Sequence, residues 1–541
     1  MALFFLSHGT IALIMIATPP AELYQQALTA QQLGRHDEAA AAFAEVSALV
    51  PGIAEPHFFR AVSLQALARH AEAATAYQAA IGIRPELFEA HNNLGMTLQS
   101  LGAYVDALAC HDRAVALNPN SADAHNSRGN CLVGLDCIED AMAAFDRAID
   151  IERTHYEAIN NRAIVLHRRN RLDEARASYD RAIVVAAEKG LDFAEGRFNR
   201  GLLRLLVGDF AGGWDDYDYR LNLDGYHNVV AELRGDDGLP AVARAPGEKP
   251  LRSGKSLFVR AEQGYGDTFQ FVRYLPLLKQ EGYHVTFECQ YGLKTLLGAS
   301  GLCDAIVERP KANSLMPAPK GAVEVYVQSL PRFFKTDLTN VPSSLPYLRT
   351  PKDRSDKWAT RIAELDLSRR TRIGIVWSAG LTDPANRHRS CRLADFAPLA
   401  RIPGVAFFGL QKGVAETDAP PAGMPYIPLS GELEDFADTA GAIEQMDLVI
   451  SIDTSVAHLA GALGKSVWTL LPWSADWRWM LDRDDSPWYP TMRLFRQPGP
   501  GEWGSMFEDV ANAIQSGPPG LALGGRSQTT IKSSTTGSRR R

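Results

Sequence analysis

The sequence predicts an α-α superhelix followed by a two-lobed, Rossmann-like α/β fold, and two observations predict it. Over roughly residues 20–190 the chain repeats a set of small and large residues every 34 positions. From about residue 255 the pattern changes from helical periodicity to short apolar runs alternating with helices. At 541 residues the chain is too long for one core, which fits such a division.

The period is explicit in the residues. An acidic residue followed by alanine recurs at Glu38-Ala39, Glu72-Ala73, Asp106-Ala107, Asp140-Ala141 and Glu174-Ala175. Four residues after each alanine stands Phe43, Tyr77, His111, Phe145 or Tyr179. A further small residue follows at Val46, Ala80, Ala114, Ala148 and Ala182, and proline closes three units at Pro51, Pro85 and Pro119. Small residues suit the places where two helices approach most closely, and the aromatic fills the neighbouring gap. This pattern resembles the tetratricopeptide repeat, a helix–turn–helix unit that stacks into a superhelix. The resemblance implies a protein or peptide partner. Asn92, Asn126 and Asn160, with Asn93 and Asn161 beside them, are spaced to stack along the first helices of successive repeats. They either contact a peptide backbone through their carboxamides or tie neighbouring helices together.

Residues 21–225 are assigned to the repeats, five clear units and a degenerate terminal one ending in GDFAGGWDDYDYR, whose outer face should no longer meet another repeat. A Gly/Pro-rich linker is expected over 226–254. The apolar segment 1–20 has no Lys or Arg before Arg35 and is interrupted by His8 and Gly9. It is expected to be a packing helix or a start-site extension rather than a signal, with no stable membrane insertion. Residues 517–541 hold Gly, Pro, Ser and Thr with five basic residues and no acidic one, a composition that predicts a disordered tail. The net charge of −7 argues against a nucleic-acid partner. Six scattered cysteines without a CxxC pair predict free thiols in a reducing, cytoplasmic setting.

After the linker, strands are predicted at Ser256–Ala261, His284–Cys289 and Val323–Val327, with helices at Thr268–Glu281 and Tyr291–Leu297. Beyond a Pro-bearing stretch the series restarts, with strands at Arg372–Trp377, Val405–Leu410, Leu448–Ile452 and Ser466–Leu471. The intervening helices are expected at Leu393–Ala400, Asp435–Gln445 and Val456–Leu463. Two such series predict lobes at 255–345 and 346–516 facing across a cleft. Ligands of these folds sit at the carboxyl ends of the strands, which directs attention to the loops after Ala261, Trp377, Leu410 and Ile452.

Four motifs occupy those loops. In AEQGYGD, Gly264 and Gly266 permit close backbone approach, and Asp267 either caps a helix or accepts a proton from an acceptor hydroxyl. In SIDTSVAHLAGALG a strand runs into a helix start at Asp453, Thr454 and Ser455, a ready cradle for a diphosphate. His458 lies one turn further on. The loop WSAGLTDPANRHRS brings Ser378, Arg387 and Arg389, and Gln411 with Lys412 follows the next strand at the same rim. Asp482-Arg483-Asp484 spells DxD but leads into Pro487 rather than a strand edge, so no metal is expected there. The tryptophans Trp473, Trp477, Trp479 and Trp488 are read as interior packing.

These residues give 250–515 a resemblance to the two-lobed GT-B glycosyltransferases, most of all the bacterial heptosyltransferase family that uses ADP-heptose. The repeat-plus-transferase plan is similar to that of the protein O-GlcNAc transferases. The most specific stretch is DLVISIDTSVAHLAGALGKSVWTLLP, Asp447–Pro472, similar to the family's diphosphate-binding segment. The resemblance implies an inverting, metal-independent transferase without a cofactor, its co-substrate a nucleotide-sugar. It places Asp267 as general base, Ser378 as a phosphate-binding hydroxyl, and Arg387 or Arg389 where the family has a lysine. The competing function is a non-catalytic repeat scaffold carrying a degenerate transferase module.

Overall fold

The computed structural model describes residues 19–223, 256–312, 314–365, 370–380 and 386–517. The predicted linker, nearly all of the apolar N-terminal segment and nearly all of the basic tail lie outside these residues. The chain divides into two compact units, Met1–Arg200 and Gly201–Arg541.

The first unit is a series of antiparallel helix pairs, beginning with Pro19–Gln32 and His36–Leu49 and running to Tyr156–Arg168 and Leu172–Glu188. Every alanine, aromatic and small residue picked out by the period, from Ala39, Phe43 and Val46 to Ala175, Tyr179 and Ala182, is buried. His111 takes the aromatic position of its repeat as a neutral ring, because burial lowers its pKa to about 4. The period also marks the turn inside each pair. Gly34, Ala68, Gly102, Asp136 and Asn170 all have left-handed φ, between 55° and 76°. Glycine adopts that region freely and Asn or Asp at modest cost, whereas Ala68 holds it against its Cβ.

The second unit contains two parallel sheets. The first is ordered β3-β2-β1-β4, from β1 (Ser256–Arg260), β2 (His284–Cys289), β3 (Ala305–Glu308) and β4 (Val323–Tyr326). Register is fixed by pairs such as Val259↔Phe287 and Val259↔Val325. The second sheet is ordered β10-β9-β8-β5-β6-β7. Its strands are β5 (Thr371–Val376), β6 (Val405–Gly409), β7 (Tyr426–Pro428), β8 (Leu448–Ile452), β9 (Val467–Leu471) and β10 (Met492–Arg496). Strands β6, β8 and β9 are buried at every position, as expected where helices cover both faces. One core of this sheet gathers Ile373, Ile375, Phe407, Ile450, Ile452 and Leu470 beneath Phe396 and Phe507.

Several elements differ from the sequence expectation. The single helix expected at Thr268–Glu281 is three pieces: Tyr265–Phe271, a 3-10 turn Val272–Tyr274, and Leu275–Gln280 with Pro276 in its first turn. It also starts earlier, because Gly264 rather than Asp267 is its N-cap. Leu393–Arg401, which contains Pro398, is a 3-10 helix. Edge strands β3, β7 and β10 and the helices Lys352–Ala363 and Trp503–Ser516 add to the predicted set.

The terminal helical unit also departs from expectation. Phe210–Tyr217 and the 3-10 turn Asp218–Asn222 belong to the second unit and are built into its interior. Trp214 donates from Nε1 to the Thr336 carbonyl at 2.8 Å, and the Tyr217 hydroxyl bonds Gln328 Oε1 at 2.6 Å. Arg220, fully buried, forks onto both oxygens of the buried Glu262 carboxylate at 2.9 Å and also bonds Asp218 and Ser329. Among the described residues the outer face meets no further repeat, as expected, and is instead covered by loops of the β-sheets.

The repeated left-handed turn yields a paired expectation. Ala68→Gly should stabilise the repeats by about 1 kcal/mol and Gly102→Ala should destabilise them by a similar amount, since a Cβ in that region costs roughly 1–2 kcal/mol. A Cβ on Gly102 meets nothing within 4 Å, so only backbone strain changes. Urea midpoints of the two variants beside the parent check both signs.

Candidate functional site

A cavity of about 830 Å³ opens at the carboxyl ends of strands from both sheets of the second unit. Gly264, Gly266 and Asp267 after β1 line it, with Ser378 and Arg389 after β5, Gln411 and Lys412 after β6, and Asp453, Thr454, Ser455 and His458 after β8. Asp476 and Arg478, from the loop after β9, also line it, as do the carboxylates Glu308, Glu434 and Asp435. Parallel strands put all these loops at one end, which is why residues more than 200 positions apart meet.

Asp267 stands at the third position of the Tyr265–Phe271 helix. Its Oδ2 accepts the Gly264 N–H at 2.8 Å, while Oδ1 accepts the Arg478 guanidinium. Capping and cleft exposure therefore coexist in one side chain. Gly266 is a point of close approach between two helices: a Cβ there would lie 2.9 Å from His458 Cδ2 and 3.5 Å from Ser455 Cα. Only glycine lets the Asp267 helix rest on the Ser455–Ala462 helix.

That second helix starts with Thr454 as N-cap in extended backbone, and no side chain caps it. The Thr454 hydroxyl turns back to Ser451 Oγ at 3.0 Å. Buried Asp453 lies behind, 3.8 Å from Arg389 and 3.8 Å from His458 Nε2. Burial and the Asp476 carboxylate push its carboxyl up, against the pull of Arg389. His458 stacks on Trp479 with centroids 5.2 Å apart and shares a 2.9 Å hydrogen bond between Nδ1 and the Tyr489 hydroxyl. Burial, then Arg478, Arg273 and Arg389, hold its pKa well below 6.5.

The other expected residues divide. Gln411 lines the cavity, but its carboxamide is spent on its own loop, accepting from the Trp377 and Ser378 N–H groups and donating to the Ser378 and Lys412 carbonyls. Ser378 is buried and its hydroxyl bonds the Ala379 carbonyl at 3.0 Å. Lys412 is exposed at the rim, bonded to the Ser430 carbonyl. Arg387 is not among the cavity's lining residues and faces a separate hollow with Arg392, Asp395 and Trp503. Of the DxD triplet, Arg483 pairs with Asp485, and none of the three lines the cavity. Trp477, Trp479 and Trp488 are buried, as expected of packing residues, whereas Trp473 is exposed and does not pack in the interior.

Arg478 was not singled out by sequence, because it hides among tryptophans. Its Nε donates to Gln270 at 2.6 Å, Nη1 to Asp476 at 2.9 Å, and Nη2 to Asp267. The guanidinium lies 4.5 Å over Trp477. Burial alone would lower its pKa, but Asp476 and Asp267 outweigh that and raise it. The strand-end rule applied to Leu471 at the end of β9 would have found it.

In the first unit the asparagines separate. Asn92, Asn93 and Asn160 are buried, and Asn92 Oδ1 accepts from His111 at 3.2 Å across a helix pair. Asn126, Asn160 and Asn161 line a hollow of about 470 Å³ with Asp123, Glu157 and Glu195, and Asn161 donates to Asn126 at 3.0 Å. Asn92 therefore binds helix to helix, and the later asparagines line the hollow while Asn161 and Asn126 also tie two helices together. Asp123, His155 and Glu157 offer ligand atoms within 4.8 Å of one another. His155 Nδ1 accepts the Ala158 N–H, so its proton is on Nε2, directed at Asp123 at 3.1 Å. That arrangement suits a helix cap better than a metal ligand.

The fold and cavity describe a helical repeat array joined to a two-sheet α/β unit with a strand-end cleft. Residues 24–87, 88–121 and 138–192 match the tetratricopeptide repeat, so the N-terminal region carries these repeats. Protein FlbA of Caulobacter vibrioides is 24% identical over 373 residues, 60% of this chain and 55% of FlbA. The chain thus spans about half the length of that relative. Among solved structures, a thermophilic TPR protein from Thermus thermophilus is 22% identical, covering 35% of this chain and 100% of its own at a TM-score of 0.30. The Pseudomonas aeruginosa pilF protein is 20% identical, covering 39% and 97% at a TM-score of 0.32. Among the described residues no helix is long and apolar enough to cross a membrane.

His458 gives this site a pH signature. Its folded pKa is depressed below 6.5, so the unfolded chain binds the extra proton and stability falls as pH drops below that value. The loss should reach up to about 1.4 kcal/mol per pH unit, and His458→Gln should remove that part of the slope. Urea denaturation of parent and variant at pH 7, 6 and 5 isolates it.

Proposed function

We propose that the second unit is an inverting, metal-independent GT-B glycosyltransferase that moves a sugar from a nucleotide-sugar to an acceptor hydroxyl. The tetratricopeptide repeats recruit the acceptor, a protein or peptide. One observation carries the reading: Asp267, the uncapped start of the Ser455–Ala462 helix, Arg389 and Arg478 line a single cavity. An uncapped helix N-terminus offers N–H groups and a positive dipole end to a diphosphate. Asp267 then takes the acceptor proton as its oxygen bonds to the anomeric carbon from the face opposite the diphosphate. The carbon–oxygen bond to the diphosphate breaks, and the leaving group carries away the electron pair, stabilised by the helix start and Arg389. The metal-free reading is supported by the DxD triplet's position outside the cavity lining.

A second reading, a protein-interaction scaffold with a degenerate module, is favoured by one fact. Both oxygens of Asp267 are already engaged, by Gly264 and Arg478.

Two measurements decide between them. Calorimetry of the full chain with UDP, GDP and ADP should show binding to one of them that is unchanged by chelator, and loss of all binding in chelator would overturn the metal-free reading. Asp267→Asn should still bind that nucleotide while turnover falls by about a hundredfold or more, the usual scale for losing a general base. Near-normal turnover in that variant would leave Asp267 as a helix cap.

A further inference from the structure

Arg478 is anchored more heavily than a simple ion pair requires. Its Nε is held by Gln270, its Nη1 by Asp476, and one face lies 4.5 Å from the Trp477 ring, with Phe271 at 5.8 Å. Asp476 also accepts the Arg478 backbone N–H at 3.0 Å, so acid and guanidinium are fixed within one short turn. The bond to Asp267 is a third polar tie, made to the first turn of the Tyr265–Phe271 helix. Without Asp267 the guanidinium would keep its counter-charge, its Nε acceptor and its aromatic platform. The Asp267 arm is therefore the exchangeable one, and it faces the cavity that Thr454, Ser455 and Arg389 line.

We infer that Arg478 is a donor-diphosphate ligand whose resting partner is Asp267, so that an arriving diphosphate takes the guanidinium and releases the carboxylate. This deepens the glycosyltransferase reading and rests on it. A planar guanidinium with two Nη groups suits a diphosphate oxygen pair as well as it suits a carboxylate. The exchange orders the reaction. Before the donor arrives, Asp267 Oδ1 is paired with the Arg478 guanidinium rather than with an acceptor hydroxyl. Once the diphosphate holds Arg478, the oxygen is free at the moment a base is needed. Donor binds first and acceptor second, and a chain without donor does not engage its base.

The test reads nucleotide affinity, so it does not depend on turnover. Full-length parent, Asp267→Asn, Arg478→Lys and the double variant are titrated by calorimetry with UDP, GDP and ADP, after melting curves confirm folding. Asn cannot pair ionically with Arg478, so Asp267→Asn should tighten binding about threefold to tenfold, while Arg478→Lys weakens it about tenfold or more. The gain from Asp267→Asn should vanish in the Arg478→Lys background, because the two groups compete through the same guanidinium. A gain of equal size in that background means simple charge repulsion and overturns the inference. So does an Asp267→Asn variant that binds no tighter than the parent, a result that overturns it even if Arg478→Lys fails to fold. Failure of the parent to bind any of the three nucleotides would instead overturn the transferase reading beneath it.

Discussion

The buried fork between Arg220 and Glu262 is the constraint on which the cleft of the second unit depends. Glu262 opens the loop after β1, five residues before Asp267, and its side chain is sealed from solvent. Burial pushes its carboxyl up, and Arg220 supplies the opposing charge. The Gln328 N–H donates to the same carboxylate, while Gln290 bonds the carbonyls of Glu262 and Gln263. The loop is thus fastened at its base, which lets its far end stand in the cavity on a fixed backbone. Removing one partner of such a pair leaves an uncompensated buried charge, a far larger penalty than the pair's own net contribution.

Arg273 performs a parallel task one turn further on. It donates to the carbonyls of Gln270 and Trp488 and to the Tyr347 hydroxyl, with Tyr347 and Tyr489 rings each 4.7 Å from its guanidinium. Tyr489 in turn meets His458. The helix after β1 and the helix after β8 are therefore connected through a dry arginine–tyrosine–histidine chain as well as by the Gly266 contact. The polar groups facing the cavity rest on residues that do not face it.

What the sequence revealed follows from how each residue is used. The repeats were legible because the same packing problem recurs every 34 residues, so Ala39 and Phe43 announce Ala73 and Tyr77. Strands β6 and β8 were legible because burial on both faces demands continuous apolar runs. Strands β3 and β7 are short and only partly buried, and leave no such run. The helix Lys352–Ala363 buries only Trp358 and Ile362 beneath a charged surface, which leaves little apolar period to read. The cleft residues after β1, β5, β6 and β8 were reachable from strand order alone. Arg478 was not, since a charged residue flanked by Trp477 and Trp479 looks like a stray in a packing segment. Nor could spacing reveal that Gln411 spends its amide on its own loop, or that Arg387 turns away from the cavity. Both depend on local backbone paths that no period encodes.

The placement of residues 201–222 bears on how such a chain is put together. By sequence they continue the repeats; by packing they complete the α/β unit, with Trp214 edge-on to Trp477 and Trp488 and Arg220 sealed under the cleft loop. A boundary drawn at the Gly/Pro-rich stretch would sever the unit from a piece of its own interior. An α/β fragment begun after that stretch would lack Trp214 and Tyr217 from its interior and would leave the buried Glu262 carboxylate without its Arg220 counter-charge.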